Sequence, residues 1–377
     1  MTKTKPAQRE TGIRGLRKSS GRISTGLTLL NLLLSGDRLG GFDLGTVGLV
    51  VGDSKTGKSW VLMEMLAHAA RNPKFKDFSL IYDDVESGIG YEIGEMFGKA
   101  AGSRIRLPYQ GKKLAPSKTC QDFYFAAIAE MREAPTIYIL DSHDALTDQT
   151  SQDAVEETLT KRAAGKDAEE KASFGTGKAR ANSKYLPELI DAAATTGSLV
   201  IMICQTRDNI GFDAMFNPKT RSGGKALRFY NSQEVWFSNG PAIKKKARGQ
   251  DHKVGHELIV KAAKNRTTGM ESQIVIPILT GYGADEIGSQ LDWLKLYGFL
   301  ETEAAESDSE YEPPKKKKAA SKLKLPKQVG GLEGTRSALI AEIEELGVEE
   351  QLSKFTAQCW KELSNELKPA RKSRWED

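Results

Sequence analysis

Short runs of β-branched and aliphatic residues recur along the chain. Between them lie longer stretches in which apolar residues return every three to four positions. Residues 46–51, 79–82, 136–140, 199–204, 234–237, 257–261 and 273–279 carry the first pattern and are expected as strands. Residues 60–70 carry the second and are expected as a helix. Strands that alternate with helices imply parallel βαβ units. The expected fold class is therefore α/β, with a doubly wound, mostly parallel sheet that presents ligands at the carboxyl ends of its strands. The pattern starts near Ile23 and fades near Leu300, which marks residues 23–300 as one core.

Both flanks differ from this core. Residues 1–22 set Lys3, Lys5, Arg9, Arg14, Arg17, Lys18 and Arg22 against Glu10 and read as a basic flexible arm. Residues 301–312 are acidic, Pro313 and Pro314 follow, and Lys315 to Lys318 with Lys322, Lys324 and Lys327 reverse the sign. Opposed charge blocks around a proline pair predict a solvated linker over 301–330. The lysine run is open to two readings, a plain linker or a non-specific grip on DNA. Helical spacing returns through Leu339, Ile343 and Leu346, then Leu352, Phe355 and Leu363, so 331–377 is expected as a small helical C-terminal module.

Composition narrows the classes. With 377 residues, 39% of them hydrophobic, the chain can build a sizeable core. No apolar run approaches the roughly 20 residues of a membrane helix. The basic N-terminus also lacks an apolar signal core. Neither a membrane partner nor export is expected. Cys120, Cys204 and Cys359 are odd in number and far apart, which fits a reducing cytoplasm and argues against a disulfide framework or a zinc knuckle. A net charge of +5 permits a polyanionic partner without specifying one.

The strongest chemical signal is Gly52-Asp53-Ser54-Lys55-Thr56-Gly57-Lys58-Ser59, a GxxxxGKS phosphate loop between an expected strand and an expected helix. Its glycines let backbone N–H groups approach phosphates, Lys58 reaches the β- and γ-phosphates, and the Ser59 hydroxyl ligates magnesium. ATP and Mg2+ are the implied nucleotide and metal; an ordinary glycine turn is the bland alternative. Asp141 closes the apolar run 136–140, where a carboxylate holds the magnesium hydration shell or merely caps a turn. Asp83, Asp84 and Glu86 close another run. Glu86 is the candidate that directs the attacking water, against the alternative that one of these acids caps the next helix. Gln205 ends a further strand and is placed to sense the γ-phosphate. Residues 208–225 follow it, rich in Gly, Asn and Pro and carrying Lys219, Arg221 and Lys225; a long basic loop of this kind suits a single-stranded nucleic-acid backbone.

Over residues 23–300 the chain resembles the RecA family of strand-exchange ATPases. The resemblance is carried by Ile23-Ser-Thr-Gly26, the phosphate loop, the Asp84–Glu86 strand end and Asp141-Ser142. Its most specific stretch runs from Gln205-Thr206-Arg207 through Asn217-Pro218 and Gly223-Gly224-Lys225 to Tyr230. It implies that Glu86 is the catalytic glutamate and that Gln205 is the γ-phosphate switch. It implies that 208–225 is the second DNA-binding loop, with Arg207, Lys219, Arg221, Gly223, Gly224 and Lys225 at the DNA. The first such loop would fall at 164–184, with Lys178 and Arg180 as contacts. Lys264 and Arg266 match cations that reach a neighbouring subunit's ATP, and Phe229 matches an interface aromatic. The family's apolar N-terminal packing segment has no clear counterpart, since 1–22 hold only Ile13 and Leu16 as large aliphatics. Residues 87–93 also depart from the adenine-contact pattern, leaving Tyr91 as either a base-stacking or a buried aromatic.

The implied function is a DNA-dependent ATPase that hydrolyses ATP to ADP and phosphate. It would form a nucleoprotein filament on single-stranded DNA and pair it with duplex DNA in recombination and repair. Self-association through ATP at the protomer interface follows. A mediator or single-strand-binding protein is a partner for the tail, and the cytoplasm of a bacterium, or of one infected by a bacterial virus, is the expected location. A RecA-like accessory protein that binds ATP without strand exchange, and a ring helicase, are the alternatives. His252 and His256 read as surface residues, and Lys244-Lys245-Lys246 with Arg248 as a solvated turn rather than a phosphate site.

Overall fold

The structure, a computed structural model, describes residues 21–164, 176–209, 219–303 and 322–371. Nine strands form its central sheet: β1 (Thr46–Gly52), β2 (Ser79–Asp84), β3 (Ile105–Arg106), β4 (Thr136–Asp141), β5 (Leu199–Cys204), β6 (Gln233–Ala247), β7 (Gln250–Asn265), β8 (Gln273–Leu279) and β9 (Gly283–Ala284). Their order is β3-β2-β4-β5-β1-β6-β7-β8-β9. All pairings from β3 to β6 are parallel, and those from β6 to β9 are antiparallel. The expected α/β class holds, with a mostly parallel centre.

The parallel strands are apolar because helices cover both faces. Val47, Leu49 and Val51 of β1 join one core with Phe123 and Ala127 of α3 (Cys120–Glu133) and Leu186 and Leu189 of α5 (Thr176–Thr196). Val50 turns the other way, toward Leu62 and Leu66 of α2 (Lys58–Arg71) and the leucines of α1 (Thr28–Ser35). The period-2 alternation along β1 thus divides its side chains between two cores. Between α3 and α5, α4 (Gln149–Ala163) contributes no buried residue.

Two sequence expectations change. Residues 234–237 and 257–261 were expected as separate strands; they are the inner parts of one antiparallel hairpin of 15 and 16 residues. Within the expected linker, Glu301–Glu303 and Lys322–Lys324 are strands that pair with each other, and the second also pairs with Glu333–Gly334. Leu323, Leu325, Val329 and Leu332 bury into the main core. Residues 304–321 lie outside the described residues, as do 1–20 of the expected arm. The tail helices α8 (Arg336–Leu346) and α9 (Glu349–Glu366) dock on α7 (Glu286–Leu296). Trp360 stacks on Trp293 at 5.3 Å, and Arg336 bonds Asp285 and Asp292, each at 2.8 Å.

Candidate functional site

β1 ends at Gly52 and α2 begins at Lys58, so the phosphate loop occupies the strand-to-helix turn at the carboxyl edge of the sheet. Lys55 (φ 61°) and Gly57 (φ 89°) are both left-handed. A Cβ on Gly57 would meet only Ile278 Cγ1 at 3.8 Å. Glycine is therefore required there by conformation, not by crowding. Gly57 caps α2 without any side-chain bond to the first-turn N–H groups. Those donors, at the positive end of the helix dipole, are available to an anion. Lys58 is only 7% exposed, and its Nζ donates to Asp53 O at 2.6 Å. Burial lowers the Lys58 pKa, while the carboxylates of Asp141, Glu86, Asp53 and Asp144 hold it up.

The acids around this ammonium sort by their bonds. β2 and β4 end in register, with Asp84 opposite Asp141. Asp83 is buried and accepts from Ser117 N (2.9 Å), Ser117 Oγ (2.6 Å) and Tyr138 OH (2.6 Å). Asp84 caps the following turn through Gly88 N (2.9 Å) and Ile89 N (3.1 Å). The capping role thus falls to Asp84, and the bonds of Glu86 run elsewhere. Glu86 is exposed, and its Oε1 accepts from Ser142 Oγ and from Gln205 Nε2 at 3.1 Å. Asp141 is buried and accepts from Tyr82 OH and the Ser59 side chain; burial raises its pKa. A cis peptide joins Asp141 to Ser142. The Ser59 hydroxyl and the Asp141 carboxylate are hard oxygen donors, the set that suits magnesium. Among the described residues the side-chain bonds to this buried carboxylate come from hydroxyls, which fits a nearby cation.

Gln205 follows β5 directly. Its backbone N–H donates to Asp144 Oδ2 at 2.7 Å, and the same carboxylate oxygen accepts from Ser222 Oγ at 2.6 Å. Between these points Thr206–Asp208 and Lys219–Arg221 form a two-stranded hairpin. Thr206 Oγ1 and Lys219 Nζ both bond the Asp53 carboxylate, and the Lys219 bond is the main cause of a lowered Asp53 pKa. These paired segments are therefore tied to the phosphate loop through Thr206 and Lys219 and to Glu86 through Gln205. Asp144 and Thr206 were not singled out from sequence. A second acid three residues beyond Asp141 was the available signal.

A cavity of about 300 Å³ gathers Lys178, Arg207, Arg221, Gly223 and Gly224 around Asp144 and buried His143. Lys178 Nζ donates to Asp144 O at 2.8 Å, and Arg180 lies exposed on α5. Arg207 is exposed and faces Asp144 at 3.5 Å. At Gly223 (φ 91°) a Cβ would strike Leu227 Cδ1 at 2.3 Å. Lys225 lies in α6 (Gly224–Tyr230). Residues 165–175 and 210–218 of the two expected loops lie outside the described residues.

Two expected contacts are placed differently. Arg221 points inward: Nε meets Glu234 Oε2 at 3.2 Å, with the two side chains 7% and 9% exposed. Asn231 Nδ2 and Trp236 Nε1 also bond Glu234, each at 2.9 Å. Lys219 is engaged by Asp53 instead of facing solvent alone. Elsewhere, Lys264 Nζ donates to Arg228 O (2.6 Å) and Arg266 to Phe229 O (2.8 Å). Burial, with Arg266 nearby, brings Lys264 down to about 8. Phe229 itself is 67% exposed. Tyr91 packs with Trp60 (5.9 Å) and Phe97 (6.0 Å) in an aromatic cluster.

A phosphate loop at the edge of a parallel sheet, with an acid strand end one strand removed and a polar residue at the end of the strand between, defines a phosphate-loop α/β protein with a RecA-like core. Comparison with known proteins agrees. Residues 140–285 match the family described as RecA N-terminal domain. Protein RecA of Thioalkalivibrio sulfidiphilus is 27% identical over 272 residues, covering 72% of this chain and 69% of that protein. Protein RecA of Rhodococcus jostii is 26% identical over 288 residues, covering 76% and 73%. Protein RecA of Colwellia psychrerythraea is 27% identical over 292 residues, covering 75% and 72%. These matches support a RecA-like family for the chain.

Proposed function

We propose that the chain is an ATP-dependent recombinase that binds single-stranded DNA and promotes homologous pairing and strand exchange. Lys58, the loop N–H groups and Ser59 hold the triphosphate, and Ser59 with Asp141 holds magnesium. The metal, when bound, neutralises charge on the β- and γ-phosphates. Glu86 orients the attacking water and takes up its proton, and hydrolysis yields ADP and phosphate. Lys264 and Arg266 reach the nucleotide of an adjacent copy, with exposed Phe229 at that contact; cations there stabilise charge that develops on the transferring phosphoryl group.

One observation carries this reading. Gln205 bonds Glu86 through its side chain and Asp144 through its backbone, and Asp144 holds Ser222 at the end of the hairpin. A phosphate that draws the Gln205 amide toward itself, away from Glu86, must therefore move the connection to the segment proposed to grip DNA, formed by Lys178, Arg180, Arg207, Lys219, Lys225 and the Gly223-Gly224 backbone. Among the described residues no helix is long and apolar enough to cross a membrane. A cytoplasmic location fits this reading.

Electron microscopy of the protein with single-stranded DNA and a slowly hydrolysed ATP analogue tests it. Continuous helical filaments are expected. ATP binding without DNA-bound filaments would favour an accessory protein, and closed hexamers with directional strand displacement a ring helicase.

A further inference from the structure

The aromatic cluster at Trp60 stands where the phosphate loop runs into its helix. Lys58, Ser59 and Trp60 open α2, and the first bond of the helical ladder is Val61 N to Gly57 O at 3.0 Å. The backbone N–H groups of all three residues precede that ladder. With the β- and γ-phosphates at Lys58 and magnesium at Ser59, the next donor toward the nucleoside is Trp60 N. The base then meets whatever surrounds the Trp60 side chain.

Those surroundings form an aromatic recess with a fixed indole. Trp60 is half-buried, and its Nε1 donates to Glu64 Oε1, one turn on, at 2.6 Å. The same oxygen accepts from Ala284 N at 3.3 Å. Tyr91 and Phe97 stand beside the indole, with centroids at 5.9 and 5.0 Å and rings tilted by 56° and 50°. Tilted rings meet it at an angle, and no ring among the described residues stacks on it. β9 passes at Gly283 (φ 108°), where a Cβ would come within 2.8 Å of Trp60 Nε1 and 2.5 Å of Glu64 Oε1. Any larger residue at 283 would push the indole out of place. β8 approaches the loop as well, with Ile278 Cγ1 3.8 Å from a Cβ built on Gly57. The Tyr91 hydroxyl is raised by burial and then by Asp84, Asp141 and Glu64, which sets it between the strand-end acids and the recess. The indole is therefore anchored, unstacked and next to the phosphate donors.

We propose that Trp60 is the platform on which the nucleotide base stacks, and that the site selects purines by stacking area and not by hydrogen bonds to the base edge. An aromatic face accepts any base, because every base has a π-face, and a larger ring system gains more contact. Glu64 is the carboxylate of the recess, and its Oε1 is already engaged by the indole and by the β9 backbone. ATP and GTP should then bind alike. The assignment deepens the ATP-binding reading above and rests on it.

Isothermal titration calorimetry of the full chain in magnesium tests it, with ATP, GTP, CTP and inorganic tripolyphosphate as the ligands. GTP should bind within about threefold of ATP, and CTP about tenfold more weakly. Trp60→Ala should weaken ATP binding about tenfold or more and leave tripolyphosphate, which carries no base, at its wild-type affinity. Trp60→Phe, which keeps a ring, should retain most of the ATP affinity. Unchanged ATP affinity in Trp60→Ala overturns the proposal. An equal loss for ATP and tripolyphosphate also overturns it, since Trp60 would then only support the loop. So does GTP binding more than about tenfold weaker than ATP, which would show that the base edge is read. Wild-type protein that binds none of the four ligands would remove the triphosphate reading itself.

Discussion

Arg221→Ala separates a structural cation from a DNA contact. Sequence context groups Arg221 with Lys219, since both sit in a basic glycine-rich stretch. The structure separates them. Arg221 and Glu234 form a buried pair at 3.2 Å, with side chains 7% and 9% exposed, whereas the Lys219 and Asp53 side chains are 46% and 48% exposed. Breaking a buried pair from one side costs about 3–5 kcal/mol, because the remaining charge loses its partner. Asn231 and Trp236 still donate to Glu234 and offset part of this, so about 3 kcal/mol is expected for Arg221→Ala. Lys219→Ala should cost no more than about 1 kcal/mol. Urea unfolding followed by circular dichroism measures both, with thermal melting as a check and a fall of about 5 °C expected for Arg221→Ala. Equal stabilities for the two variants, with equal losses of DNA affinity, would show that Arg221 faces outward and that the inward placement is wrong.

Other expectations follow from the same geometry. Lys58→Ala should lower ATP hydrolysis at least about a hundredfold and leave thermal stability near wild type; a smaller loss in a steady-state assay would move the chemistry elsewhere. Lys264 titrates at about 8, so hydrolysis should fall as pH rises from 7 to 9, and Lys264→Arg should move that fall upward. A flat profile in the wild type would remove Lys264 from the reaction. Glu286 accepts from Thr28 N at 2.9 Å, and burial pushes it up to about 7 from an ordinary 4.5. A raised carboxyl pKa means that the fold favours the protonated form, so stability is complete below pH 4.5 and is lost as pH rises through 7. Glu286→Gln should therefore gain about 2 kcal/mol at pH 8, allowing for partial exposure, and nothing at pH 4.5. Denaturation at both pH values checks the difference. Lys219→Ala should also reduce the salt slope of single-strand binding by about one.

What the sequence made legible follows from burial. β5 and β8 match their expected bounds because each is an unbroken apolar run between polar turns. The outer hairpin was hidden because residues 238–256 are mostly polar. Its ladder depends on backbone pairing and on the Arg248-Gly249 turn, which leave little hydrophobic signal. The alternation Lys322-Leu323-Lys324-Leu325 was masked by its charge: the lysines dominate composition while the leucines bury. Glu86 could be proposed from its strand end, but its separation from Asp83 and Asp84 needed the bonds to Ser117 and to Gly88. The inward turn of Arg221 was not legible because its partner Glu234 lies on the next strand, and residue type alone does not say which way a cation points.

The central claim is that the nucleotide site and the DNA grip form one linked device. The direct measurement is the steady-state rate of ATP hydrolysis with and without single-stranded DNA, for wild type and for Gln205→Ala. Strong stimulation in the wild type, lost in Gln205→Ala while ATP and DNA are each still bound, is the expected result. The same rate with and without DNA, in wild-type protein that binds ATP, would contradict the linkage.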